Sequence, residues 1–353
     1  MLARIRLFPS RFLPLLSLAF TLPGLPSCAS LAPTEDPAPV VRGPFPTRQQ
    51  QPMALTFMAF RPRRAATQAE GTWAGGVQLA WSNIEEIRRY QEESPAESVS
   101  FDGETVRTTL RGRCGLTSSV DLELELPFLW AGAGGMDQFI AEFHELFDLP
   151  DGARDEFPDD QYEMRVESHG DTLYELEGNE IGLQDVPLFL TWNLVGERQG
   201  RPGLAVRAGV EFPTGSEERG FGNGAFDYGA GLVAEKSLGR WTIAGGFDWI
   251  FPGQPDRMRE ASGDHHIDPM LALHLSGECR WNDSLSVIAG TTWTSRMLHS
   301  VNLEEVNREV FDLGLGLAWD LGRAGRMAFS LHEDLVAATG SDLAAQLGWV
   351  WGY

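Results

Sequence analysis

The chain has 353 residues, of which 42% are hydrophobic, and a formal net charge of −22. A balance this acidic argues against nucleic acid as a partner, because phosphates would repel it. The 39 glycines and 11 tryptophans are high for a soluble enzyme.

The N-terminus reads as a targeting signal over 1–27. Arg4, Arg6 and Arg11 form a positive region, and Phe12 to Leu25 forms an apolar stretch too short to span a bilayer as a helix. It closes on Leu25-Pro26-Ser27-Cys28, which resembles the lipobox of bacterial lipoproteins and predicts lipidation at Cys28; ordinary cleavage near Ser30 is the alternative. Residues 28–71 read as a periplasmic linker and N-terminal arm. Its first part is rich in Pro, Thr and Gln, while Met53 to Phe60 is apolar and suits a short strand or a plug-like arm. An exported chain can form disulfides, but Cys114 and Cys279 fall on separate strands and are expected as free thiols on an outer wall.

Beyond the signal no apolar run reaches the ~18 residues of a membrane helix. From Thr72 to Tyr353 the period is two, so alternate side chains share a face of a strand. Trp73, Val77, Leu79 and Trp81 alternate with Gln78, Ala80 and Ser82. Val120, Leu122, Leu124, Leu126 and Phe128 alternate with Asp121, Glu123 and Glu125. Leu188, Leu190 and Trp192 repeat the pattern, as do Ile243, Phe247 and Trp249, and again Leu313, Leu315, Leu317 and Trp319. About twelve such segments fit the ~9–11 residues a tilted strand needs to cross a bilayer. Short turns at 116–119, 237–240, 281–284 and 321–325 alternate with long polar links at 85–97, 131–181, 214–225, 252–267 and 297–307. A soluble sandwich alternates too, but gives no reason for Trp at both strand ends or for connections of alternating length. The fold class expected is all-β, a transmembrane antiparallel up-and-down β-barrel over 72–353. Its location is then the bacterial outer membrane and its surroundings outer-membrane lipid. The last strand ends in Tyr353, a terminus that resembles the signal read by barrel-assembly machinery.

With the apolar face on lipid, the polar face lines the lumen. Expected lumen-lining residues are Arg107, Arg111, Arg113, Asp121, Glu123, Glu125, Arg207, Glu211, Asp248, His274, Glu278 and His332, with Asp227 and Glu235 as further inward residues. A turn centred near Thr117 would put Arg113 opposite Asp121 and Arg111 opposite Glu123, giving cross-strand charge pairs. In the long outer loop 131–181, Phe139, Phe143 and Phe147 with His144 fall at helical spacing and predict a short amphipathic helix. No cofactor or metal is expected: Asp264-His265-His266 reads as a polar loop tip. A hydrolase would need a His-based relay, and Ser330, His332 and Asp334 on alternate positions of one strand are too far apart to form one by themselves.

Several segments resemble domain-of-unknown-function family 3187, a family of exported bacterial proteins. They are Gly43-Pro44-Phe45-Pro46-Thr47-Arg48, Leu126-Pro127-Phe128, and the run from Phe139-Ile140 through Phe143-His144 to Leu146-Phe147-Asp148-Leu149-Pro150-Asp151-Gly152. The resemblance spans roughly 43–353. It implies an exported barrel, and it carries over no activity and no catalytic residues. The function expected is a narrow or loop-gated channel for small or lipid-like solutes. A closed docking barrel with an ion-paired lumen, and an outer-membrane hydrolase, are the alternatives.

Overall fold

The computed structural model describes residues 42–91, 94–135, 161–335 and 340–352. The signal, Cys28, the loop residues Phe139, Phe143, His144 and Phe147, and Tyr353 lie outside the described residues.

Among the described residues, fifteen strands pair in antiparallel fashion. They are β1 (Trp73–Gln91), β2 (Ser94–Thr117), β3 (Val120–Gly132), β4 (Glu163–Ser168), β5 (Asp171–Glu175), β6 (Ile181–Leu183), β7 (Val186–Val195), β8 (Gly203–Phe212), β9 (Asp227–Leu238), β10 (Trp241–Phe251), β11 (Met270–Arg280), β12 (Leu285–Thr294), β13 (Val310–Asp320), β14 (Arg326–Asp334) and β15 (Leu343–Trp351). Twelve of them form a closed wall. β1 pairs with β15 from Gly75↔Trp351 to Asn83↔Leu343, so the sheet has no free edge there. β3 pairs with β7, and β6 continues that ladder after a break at Gln184–Asp185. Short helices α1 (Asp256–Glu260) and α2 (Glu304–Asn307) sit in long connections.

The alternation read from the sequence becomes an inside and an outside. On β3, Leu124 and Leu126 are exposed while Asp121, Glu123 and Glu125 are buried. On β10, Trp241, Ile243, Phe247 and Trp249 are exposed while Thr242, Ala244 and Asp248 are buried. Water would not tolerate a continuous outer belt of this kind, whereas lipid requires one. Cys114 and Cys279 are free and lie in the outward register.

Three expectations are corrected. Residues 85–97 are not a loop: β1 and β2 run on through most of that span, paired from Glu85↔Asp102 to Gln91↔Ser94. At 24 residues β2 is far longer than a bilayer needs, so its far end rises beyond the barrel. There, part of the expected outer loop 131–181 is the hairpin β4–β5, paired to β2 from Glu97↔Ser168 to Asp102↔Glu163. The β2–β3 register also differs by two residues, with Thr117↔Val120 at the turn, Arg113↔Glu123 and Arg111↔Glu125, and an irregularity between Gly115 and Thr117. The chain reverses at Ser118–Ser119 and slips once after Gly115, so a centre at Thr117 placed the partners of Arg111 and Arg113 two residues early.

The third correction is the largest. Residues 42–69 are inside the barrel: for Met53 to Phe60 this is the plug-like alternative, and for the flanking residues it replaces a periplasmic linker. The segment starts at the short-turn end, where the Gly43 amide donates to Glu278 Oε2 at 2.7 Å. It rises to a 3-10 turn at Met53–Thr56 and returns to the short-turn end, where Gln68 Nε2 donates to the Gly352 carbonyl at 3.0 Å. Arg48 clips the turn by donating to the carbonyls of Ala54 and Phe57. Met53, Leu55, Phe57 and Met58 then join Val99, Phe101, Leu173, Met258, Leu298 and Val306 in one buried apolar cluster that caps the long-loop end.

Candidate functional site

The lumen is the candidate site, and small inward residues shape it. Gly76, Ala80, Ala205, Gly229, Ala244, Gly314, Ala318 and Gly348 occupy inward positions. Side chains can fill the bore of an eight-stranded barrel; a wider one lined by Gly and Ala needs another filler. Here the arm supplies it. Gly209 and Gly229 are paired neighbours, and a methyl group on Gly229 would stand 2.6 Å from both Met58 Cε and Phe60 Cε2. The paired glycines therefore form the recess that seats these two side chains.

All twelve expected lumen residues lie on the inward face, and the geometry regroups them around the arm. Asp121, Glu123 and Glu125 on β3 are each read by a different arginine, two of them from the arm. Arg61 Nε lies 2.8 Å from Glu125 Oε1, and Arg63 Nη2 lies 2.9 Å from Asp121 Oδ2. Only the middle carboxylate keeps its cross-strand partner, with Arg113 Nη2 2.6 Å from Glu123 Oε2. Arg61 also donates to Gln78 Oε1 and, at 3.3 Å, to Thr109 Oγ1, and Arg63 Nη1 donates to Thr191 Oγ1 at 2.7 Å. Opposite, Arg64 Nε reaches Glu235 at 2.6 Å. Arg207 grips Asp248 through Nε and Nη2, donates Nη1 to the Arg61 carbonyl, and stacks its guanidinium over Phe60. His274 Nδ1 lies 3.5 Å from the same Asp248. Arg326 meets Glu278 at 2.7 Å, and Arg107 donates Nε to Gln184 Oε1 at 2.6 Å. Arg61, Arg63 and Arg64 were missed by the sequence reading because they fall in a Pro-rich stretch read as linker. The available signal was the carboxylate row of β3 together with three arginines around Pro62.

Toward the long-loop end the groups are acidic. Glu211 and Asp227 are paired neighbours on β8 and β9. Asp227 accepts from the Met58 and Gly253 amides and from Asn223 Nδ2. Beside them Asp185, between β6 and β7, accepts from the Gly215 and Asn223 amides. Burial, reinforced by the Asp227 charge and opposed by those amides, pushes the Asp185 carboxyl up to about 6.

Two smaller constellations depart from the sequence reading. Ser330 Oγ lies 2.8 Å from His332 Nε2, and His332 Nδ1 lies 3.0 Å from Asp312 Oδ1. The three alternate positions do not form a relay by themselves: Ser330 and His332 meet along β14, and β13, through Asp312, supplies the carboxylate instead of Asp334. The connectivity is that of a hydrolase relay. Its surroundings are those of a packed wall. Ser330 and His332 are 3% and 5% exposed, Phe45 of the arm stands 6.4 Å from the imidazole, and the adjoining void of about 20 Å³ holds no more than a water. On the outer loops, His266, Asp268 and His299 place ligand atoms within 4.8 Å of one another, a set with the donors a divalent transition metal takes. His299 came from a separate loop, which is why sequence spacing did not show this group.

The remaining space is a cavity of about 350 Å³ at the short-turn end, between the limbs of the arm and the wall. Eight arginines and two glutamates line it, together with Phe45, Phe60, Phe189 and Ile288.

Among solved structures, the COG4313 outer membrane channel from Pseudomonas putida F1 is similar at 14% identity, over 84% of this chain and 100% of that one, with a TM-score of 0.54. This likeness shows a shared fold. The NanC porin (8% identity, 79% and 99% covered, TM-score 0.42) and the P. putida toluene transporter TodX (11%, 86% and 93%, 0.35) are more distant and carry no argument. No curated protein matches. The family model described as protein of unknown function (DUF3187) matches residues 20–353, so the chain belongs to that family.

Proposed function

We propose that this chain is an outer-membrane channel for small solutes that rests closed, with residues 42–69 as its plug and the short-turn end facing the periplasm. Export through a cleaved signal over 1–27, acylation at Cys28 and recognition of the strand ending at Tyr353 by barrel-assembly machinery belong to the same reading. The observation that carries it is the division of labour in the lumen. The wall contributes glycine and alanine around much of the bore, and a separable segment of the chain fills it. A barrel needing no passage would fill its bore with its own side chains. The long loop 131–181 contributes through β4–β5, whose Met164, Val166 and Leu173 pack in the cluster around the arm's turn. The closed docking barrel is the second reading, favoured by the ion pairs that tie the arm to the wall.

The test is single-channel conductance in a planar bilayer, comparing the full chain with a variant lacking 42–69. The full chain is expected to give small or no steps, and the variant steady ohmic ones. A variant shown to be folded and inserted that stays silent would overturn the channel reading in favour of the docking barrel.

A further inference from the structure

The cavity at the short-turn end is not electrically balanced. Of its eight arginines, six are committed: Arg61, Arg63, Arg64, Arg113, Arg207 and Arg326 each hold a carboxylate. Arg42 and Arg111 make no hydrogen bond or salt bridge among the described residues. For Arg111 the reason is visible. Its ladder partner is Glu125, and the arm's Arg61 has taken that carboxylate. On its other side the inward neighbours are Gly76 and, beyond it, Val350, neither with a side-chain acceptor. Its Nε is sealed from solvent and has no partner. A guanidinium in such a place is stabilised by whatever anion reaches it, and the fork geometry suits a carboxylate.

The rest of the lining limits what that anion is. Phe60 and Phe189 stand 5.1 Å apart, and Phe45 packs above Gly348 on the same face as Arg111. The arm's Pro44, Pro46 and Pro62 add rigid apolar surface and no amide protons. A bare inorganic ion would leave these surfaces facing water. We propose that this cavity is a binding site for a small organic anion, a monocarboxylate carrying a compact apolar body, held by Arg111 with Arg42 toward the mouth. The inference deepens the channel reading by naming a solute class, but the site is built in the closed state, so binding is measured without conduction.

The experiment uses the full-length, folded protein in detergent, with benzoate as the probe and benzyl alcohol as a neutral molecule of the same shape, followed by titration calorimetry. Benzoate is expected to bind at least tenfold more tightly than benzyl alcohol and to weaken as sodium chloride rises. Arg111→Gln is expected to remove at least tenfold of the benzoate affinity and leave benzyl alcohol unchanged. Equal binding of the two probes by the native chain would overturn the proposal, as would an Arg111→Gln protein that binds benzoate as well as the native one. The comparison of probes needs no variant, so it stands if Arg111→Gln fails to fold. Silence in a bilayer with intact benzoate binding would count against the channel and not against the site.

Discussion

The two ends of the lumen are closed by different physics. Toward the short turns, the arm is held by charge: Arg61, Arg63 and Arg64 each reach a wall carboxylate, beside a cavity wide enough for a solute. Toward the long loops it is held by apolar burial, with Met53, Phe57 and Met58 almost fully enclosed. Ion pairs set register and orientation but recover little beyond the desolvation they require, whereas apolar area removed from water is favourable wherever it occurs. The apolar end should therefore hold the arm in place, and the charged end should fix which residue sits where.

Three comparisons would break or sharpen that contrast. The largest effect is expected from Phe57→Asp, which puts a carboxylate into the buried apolar cluster, where the Arg48 guanidinium is already engaged by the Ala54 and Phe57 carbonyls. An uncompensated buried charge costs about 3–5 kcal/mol, so the arm should be released at the long-loop end and become open to protease in the inserted protein. Protection equal to that of the native chain would mean that the charged end alone retains the arm. An intermediate effect is expected when Arg61→Ala and Arg63→Ala are compared by urea midpoint. Arg63→Ala strands Asp121, but Arg61→Ala frees Glu125 for Arg111, its ladder partner, so Arg61→Ala should be the milder by about 1–2 kcal/mol. Adding Arg111→Ala to Arg61→Ala should remove that advantage, and simple additivity would rule out the exchange.

The smallest effect concerns pH and Asp185. Its carboxyl is raised in the folded chain, so the folded state binds the proton first, and the destabilisation present at neutral pH is relieved as pH falls through about 6. Between pH 7.5 and 5 the native chain should therefore gain about 1 kcal/mol relative to Asp185→Asn, which does not titrate. A difference that stays constant across that range would show that burial does not perturb this group.

Strand faces were legible in the sequence because a period of two survives any tertiary arrangement: Leu124 and Leu126 point out wherever β3 sits. Register was less legible, since it depends on one turn, and the reversal at Ser118–Ser119 with the slip after Gly115 moved each pairing by two residues. The arm was the hardest to see. Its prolines and glutamines have the composition of a linker, and nothing local distinguishes an arginine bound for solvent from one bound for Asp121. What decides the matter is long-range: a carboxylate row on β3 that the arm's arginines share with those of β2, and a glycine at 229 whose open face is filled by Met58 and Phe60 of the arm. The relay at Ser330 and His332 shows a different limit. Ser330, His332 and Asp334 do not form it alone; the carboxylate is Asp312 on the neighbouring strand, which only the β13–β14 register brings to the imidazole.

Both limbs of the arm come and go at the same end, and the returning limb leads straight into the first strand. Gln68 bonds the last strand at Gly352 and also Thr72 just ahead of the first, at the seam where the sheet closes on itself. Ala69 and Glu70 cross directly over Gly115, where any side chain would strike the Ala69 carbonyl. The arm thus precedes the wall in the chain and is fastened where β1 meets β15. Plug and seam therefore share residues, so that a disturbance of the returning limb is felt at the joint where the sheet closes.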